Sequence, residues 1–303
     1  MKNRFSYTIK VLFWGVVALV GVYFLVVSAR GGDPLGNLGL NLNSEPDLVL
    51  YEKTITADMD DITIQWDTGG VAILPGTDDN IQIIERSSKK LDASQWASIT
   101  QSGKNLKIVG GTKGNFYFFF WHTPGSSLEV RLPEDLYDSL RLQATSGTYE
   151  VRDLDFASLS LELTSGKLNV DRSSVGDLKL SMQSGQSRLN GINAQTAAIS
   201  STSGSFQYEG SISRSLDAEL TSGEQVYTLE GQAPEELKLK MSSGSAAIEL
   251  PANPGFRLSL GKTSGSFQAD FLHTESGGTY IYGDGSNRYT ANMTSGSLKI
   301  SVK

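Results

Sequence analysis

From residue 140 to the C-terminus, apolar and polar side chains alternate with a period of two, in short runs broken by a tripeptide ending in Ser-Gly. The tripeptide recurs at 145–147, 164–166, 183–185, 202–204, 221–223, 242–244, 263–265 and 294–296, so its glycines lie 19, 19, 19, 19, 21, 21 and 31 residues apart. Before each glycine come apolar triplets such as Leu159, Leu161, Leu163 and Leu178, Leu180, Met182. After it come pairs such as Leu168 and Val170, or Phe206 and Tyr208. The residues between are Ser, Glu, Lys, Asn and Gln. Period-two alternation on both sides of a glycine predicts two short strands per repeat, each with one buried face. The glycine marks a bend where a side chain would crowd or φ must be positive.

A unit of this size cannot bury its own apolar face, but stacked units can. The pattern therefore predicts an all-β chain: a single-stranded, right-handed parallel β-solenoid with 19–21-residue coils, each strand pairing to its equivalent one coil on. Leu161, Leu180, Ile199 and Ala218 should form one buried column. An antiparallel β-sandwich is the alternative, and the constant spacing argues against it because sandwich loops vary in length. Residues 140–303 are assigned to the solenoid. Residues 47–139, with weaker alternation at 62–66 and 71–74, are assigned to an irregular β entry region that caps it.

The last interval is about ten residues too long, which predicts a projecting hairpin insertion at about 273–287 around Tyr280-Ile281-Tyr282 and Gly283-Asp284-Gly285-Ser286. The chain stops on an alternating strand, 297–303. If that strand ends the stack its edge is unpaired, and the hairpin is expected to fold over it and keep the body monomeric.

The first 30 residues differ in kind. Residues 11–29 carry no charge, and at 1.5 Å per residue they reach about the thickness of a bilayer core as a helix. Lys2, Arg4 and Lys10 precede them, so the positive-inside rule places 1–10 in the cytoplasm and the body outside. A cleaved signal peptide is the alternative, with small residues at 27–29. Residues 31–46, rich in Gly, Asn and Pro, read as a flexible linker. Beyond residue 30 there are 22 basic against 33 acidic side chains, a net of −11, which argues against nucleic-acid binding. The chain has no Cys and two His, so thiolate metal sites, cysteine nucleophiles and His-rich metal centres are excluded.

An N-terminal membrane segment, an alternating entry region, Leu-Glu-Val-Arg-Leu-Pro at 128–133 and then tandem Leu-x-Leu-x-Leu-Thr-Ser-Gly-x-Leu-x-Val coils resemble the bacterial adhesin-like family of β-strand-repeat domains, which includes LiaG-like and YvlB-like envelope proteins. The resemblance covers about 47–303. It implies a repeat fold in the envelope and brings no catalytic residues with it.

Few residues offer chemistry. Thr145, Thr164, Thr202, Thr221, Thr263 and Thr294, two positions before six of the glycines, should form an outward hydroxyl ladder that supports stacking. Asp58, Asp60, Asp61, Asp78 and Asp79 lack the ligand order of calcium loops and read as solvated turns. Paired carboxylates in a loop-walled cleft, as a carbohydrate-active enzyme would need, are missing from the short coils. No catalytic, cofactor or metal residues are assigned. The most unusual stretch is Phe116, Tyr117, Phe118, Phe119, Phe120 and Trp121: six consecutive aromatics cannot all face one core. With Tyr280 and Tyr282 they form the candidate contact surface. The sequence thus predicts a membrane-tethered, non-catalytic binding or adhesion module, its partner an envelope protein or a glycan. A regulatory or scaffolding role in an envelope-stress system is the alternative, and a carbohydrate-active enzyme a third.

Overall fold

The computed structural model describes residues 48–56, 58–111 and 126–303, and the runs at 11–29 and 116–121 lie outside them. Among the described residues no helix is long and apolar enough to cross a membrane. The alternating segments are strands. The entry region holds β1 (Leu48–Thr56), β2 (Asp61–Pro75), β3 (Asn80–Ser87), β4 (Ser98–Ser102), β5 (Asn105–Val109) and β6 (Ser126–Leu132). The repeats supply β7 (Leu136–Arg152), β8 (Asp155–Leu163), β9 (Lys167–Asp171), β10 (Ser174–Met182), β11 (Gln186–Ser201), β12 (Ser205–Leu220), β13 (Glu224–Leu229), β14 (Glu236–Met241) and β15 (Ser245–Leu250). The C-terminal part holds β16 (Gly255–Lys262), β17 (Ser266–Asp270), β18 (Thr274–Ser276), β19 (Thr279–Gly283), β20 (Asn287–Met293) and β21 (Ser297–Val302).

From β7 onward each repeat places one strand segment before its glycine and one after it, and both pair in parallel with their equivalents in the neighbouring coil. Leu180 sits beside Leu161 on one side and Ile199 on the other, and Ile199 sits beside Ala218. The column of parallel-paired residues runs Ile108, Ile64, Leu142, Leu161, Leu180, Ile199, Ala218, Leu239, Ala291, Leu260. All but the last are buried. Burying each such leucine contributes roughly 1.5–3 kcal/mol, and the column is uniformly large from Ile108 to Ile199 before Ala218 and Ala291 alternate with Leu239 and Leu260.

The glycine column follows from the same stacking. Gly185 has φ +110°, and a Cβ there would overlap the Gly166 carbonyl oxygen of the adjacent coil; Gly204 stands against Gly185 in the same way. Adjacent coils approach too closely at this corner for any side chain, which is why the repeat keeps glycine here in all eight coils.

Several inward positions depart from the apolar pattern, among them Ser187, Ser201 and Gln225. Gln225 occupies the column of Phe206 and Ala246 and is fully buried. Its Nε2 donates to Ser201 Oγ at 2.8 Å and to the Glu219 carbonyl at 3.0 Å, and its Oε1 accepts from the Tyr227 hydroxyl at 3.0 Å. With these partners made, the amide is buried without an orphaned group.

The ends overturn the expectation of an open C-terminal strand. β21 pairs with β15 on one side and β17 on the other, and β20 lies between β14 and β16. The chain therefore skips one level after β15, builds β16–β17 one level further out, and returns to fill the gap with its last two strands. The N-terminal end mirrors this, for β2 lies between β7 and the later strands β5 and β6. β2 and the last two strands, β20 and β21, are thereby each held between two neighbours. The hairpin at 273–287 does not fold over β21: β19 pairs antiparallel with β16, and β18 with β19. Its turn is Gly277-Gly278, both with positive φ, as a two-residue hairpin turn requires.

Candidate functional site

The far end of the stack is finished on one face only. On the face that precedes each glycine, β16 is continued outward by β19 and β18. On the face that follows the glycine, β17 pairs with β21 and with no other described strand. This leaves a step beside the core of the last coil, and aromatic side chains fill its wall. Phe256 stacks on Tyr289 at 4.6 Å and meets Phe271 edge-on at 5.0 Å and Tyr282 at 5.4 Å. Phe267 meets Tyr280 at 4.9 Å, and His273 lies 5.2 Å from both Tyr280 and Phe271.

In this cluster Phe256 and Tyr289 are buried, whereas Phe267, Phe271, Tyr280 and Tyr282 are only partly covered. Leu272, next in the chain, is 91% exposed. The geometry follows from the strand pattern: inward positions of the outermost coil point at a core that has no further coil to cover it. Edge-on and offset contacts hold the rings in place, so the surface is preformed. His273 Nδ1 lies 2.8 Å from the Phe271 carbonyl oxygen, which fixes the proton on that nitrogen. Partial burial, and then the Glu275 carboxylate opposite on the neighbouring strand, raise the Tyr280 hydroxyl above its ordinary range.

Of the residues singled out in the sequence, Tyr280 and Tyr282 fall in this cluster, and Phe116 to Trp121 lie outside the described residues. Phe256, Phe267, Phe271, Leu272 and His273 were not singled out. Phe267 carries no distinguishing signal in the sequence, because its equivalents in the inner coils include Tyr149 and Phe206.

The other candidates are spent on each other. The threonine rank is exposed along the outer corner of the coils, beside a concavity of 720 Å³ lined by Gln65, Gln143, Glu162 and Thr164 among others. Gln65 donates to Gln143 at 2.7 Å, Gln143 to Glu162 at 2.9 Å, and Arg141 to Glu162 at 2.7 Å, so its wall is already paired. Side-chain bonds between coils at this corner include Ser203 and Ser264 Oγ, each donating to a carbonyl of the adjacent coil at 3.2 Å, and Thr145 Oγ1 donating to Asp67 at 3.4 Å. Asp60 and Asp58 pair with Lys104 at 2.7 and 3.3 Å, and the Asp78 carboxylate accepts from Gln82 at 2.6 Å. Among the described residues no group of three His, Cys, Asp or Glu converges as metal ligands would.

No curated protein matches the chain. Among solved structures, a proposed cell adhesion protein from Clostridium sporogenes is similar at 12% identity and TM-score 0.28, covering 86% of this chain and all of its own. A proposed adhesin from Bacteroides fragilis has 12% identity and TM-score 0.40, covering 82% of this chain and 96% of its own. A proposed lipid binding protein from Parabacteroides distasonis has 9% identity and TM-score 0.40, covering 86% and 98%. A family model described as Toastrack DUF4097 matches residues 59–301.

Proposed function

The chain belongs to the Toastrack DUF4097 family, and we propose that it is a non-catalytic binding or adhesion module of the bacterial envelope. The observation that carries this reading is the preformed, half-covered aromatic end of the stack with Leu272 projecting from it. Soluble proteins seldom leave contiguous aromatic surface uncovered unless something docks there. In this reading the coils wind right-handed, and residues 11–29 anchor the chain with 1–10 in the cytoplasm. The chain then enters the stack through β1, at the end opposite the aromatic one. Stacked strands spaced by about 4.8 Å separate β1 from β17 by roughly 50 Å.

The test is binding of the full chain to isolated envelope fractions. Replacing Leu272 and Tyr282 by Ser together should weaken binding about tenfold, as loss of an interface anchor does, whereas Gln207→Ala on an outer face should leave it unchanged. Equal binding by both variants, with unchanged unfolding midpoints, would remove the aromatic end from the function.

A further inference from the structure

The step beside β17 has a backbone as well as an aromatic wall. In the parallel pairing of β17 with β21, the Ser266 N–H donates to the Gly296 carbonyl at 2.9 Å. Peptide groups alternate sides along a strand, so the N–H and C=O of Phe267 and Ala269 point to the free edge. No described strand takes them. At the other end of the molecule the same face carries two further antiparallel strands, β3 beyond β6 and then β1, whose outer edge pairs with no described strand. Among the described residues no such antiparallel strand lies outward of β17.

What β17 accepts on its paired edge indicates what its free edge accepts. Its neighbour there, β21, alternates Leu298, Ile300 and Val302 with polar and basic residues, and Lys299 reaches Asp270 at 3.6 Å. Apolar side chains of a strand laid on the free edge would cover Phe267 and lie against Tyr280. Its polar side chains would face Gln268 and the exposed Asp270 carboxylate. A cation opposite Asp270 suits an otherwise acidic body.

The geometry points to strand addition: β17 is a docking edge for an extended segment of a partner protein that alternates apolar and basic residues. This rests on the reading of the aromatic end as the contact surface, and it names the form of the partner. Main-chain hydrogen bonds from Phe267 and Ala269 would supply affinity and the aromatic wall would supply specificity, as in other strand-addition complexes. An edge this short, with a charge at its end, resists indiscriminate pairing.

The probe is a labelled peptide with the sequence of residues 297–303, SLKISVK, titrated against the full chain. Saturable binding is expected, with amide exchange slowed at Phe267 and Ala269. Replacing its first Lys by Glu should weaken binding about fivefold through repulsion from Asp270. Ala269→Pro removes a free-edge N–H and no bond to β21, a position where an edge strand tolerates proline, and should weaken binding about tenfold. Failure of the peptide to bind, or binding without protection at Phe267 and Ala269, would overturn strand addition. The proposed function would survive that result if the Leu272 and Tyr282 variant still lost envelope binding. Should Ala269→Pro impair folding, the exchange pattern of the unaltered protein still decides the matter.

Discussion

Replacing Gly185 by alanine asks whether the glycine column is there for close backbone approach or only for its turn. Gly185 lies at φ +110°, where an L-residue costs roughly 1–3 kcal/mol. A Cβ there would also collide with the Gly166 carbonyl, which accepts the Gln186 N–H at 2.9 Å, and just past the corner the Ser205 N–H donates to the Gly185 carbonyl at 3.0 Å. Opening the corner enough to admit a methyl group would lengthen both bonds, each worth about 1 kcal/mol. The sum is about 3–5 kcal/mol, large against the stability of a domain. Gly231 is the matched control, for its φ is +66° and nothing lies within 4 Å of its would-be Cβ. Alanine there should cost about 1 kcal/mol, from backbone preference alone. Urea unfolding followed by circular dichroism measures both. If Gly185→Ala and Gly231→Ala lowered stability equally, the close-packing argument would be wrong.

Replacing Leu180 by Asp places an unpaired charge between Leu161 and Ile199 and should lower stability by several kcal/mol, whereas Leu180→Ile should cost under about 1.5 kcal/mol by the same unfolding measurement. Gln225→Ala should cost about 2–4 kcal/mol, because it leaves the Tyr227 hydroxyl and Ser201 without their partner as well as a cavity; a cost below about 0.5 kcal/mol would show that the network contributes nothing. Glu85 is buried with its Oε2 accepting the Ala97 N–H at 2.8 Å, and burial holds its carboxyl above the ordinary value of 4.5. A raised folded-state pKa stabilises most below the unfolded value, and that contribution is lost as pH rises through the folded value. Thermal midpoints taken upward from about pH 4 should therefore fall less in Glu85→Gln than in the unaltered protein, and parallel profiles would contradict this.

Strand positions and inward columns were legible because period-two alternation and a repeated glycine leave one consistent stacking register. Leu161 against Leu180 follows from a spacing that equals one coil. The order of the last coils was not legible. An interval of 31 residues between Gly265 and Gly296 is the same whether ten residues project as an insertion or the chain skips a level and returns. Spacing along the chain does not encode which neighbour a strand takes when two are in reach. The aromatic end was legible only through Tyr280 and Tyr282. Phe267 and Phe271 look like ordinary inward residues until the coil that carries them proves to be the outermost one. Gln225 was hidden for a related reason: its partners Ser201 and Glu219 belong to other strands, so its satisfaction depends on stacking and not on local sequence.

The claim that the aromatic end is where this protein makes contact is tested most directly by photo-crosslinking in living cells. A benzophenone amino acid placed at Leu272 sits on that end, and one at Gln207 sits on an outer face. The account predicts a discrete, saturable crosslinked species from position 272 and none from position 207. Crosslinks of equal yield at both positions, or at 207 alone, would contradict it.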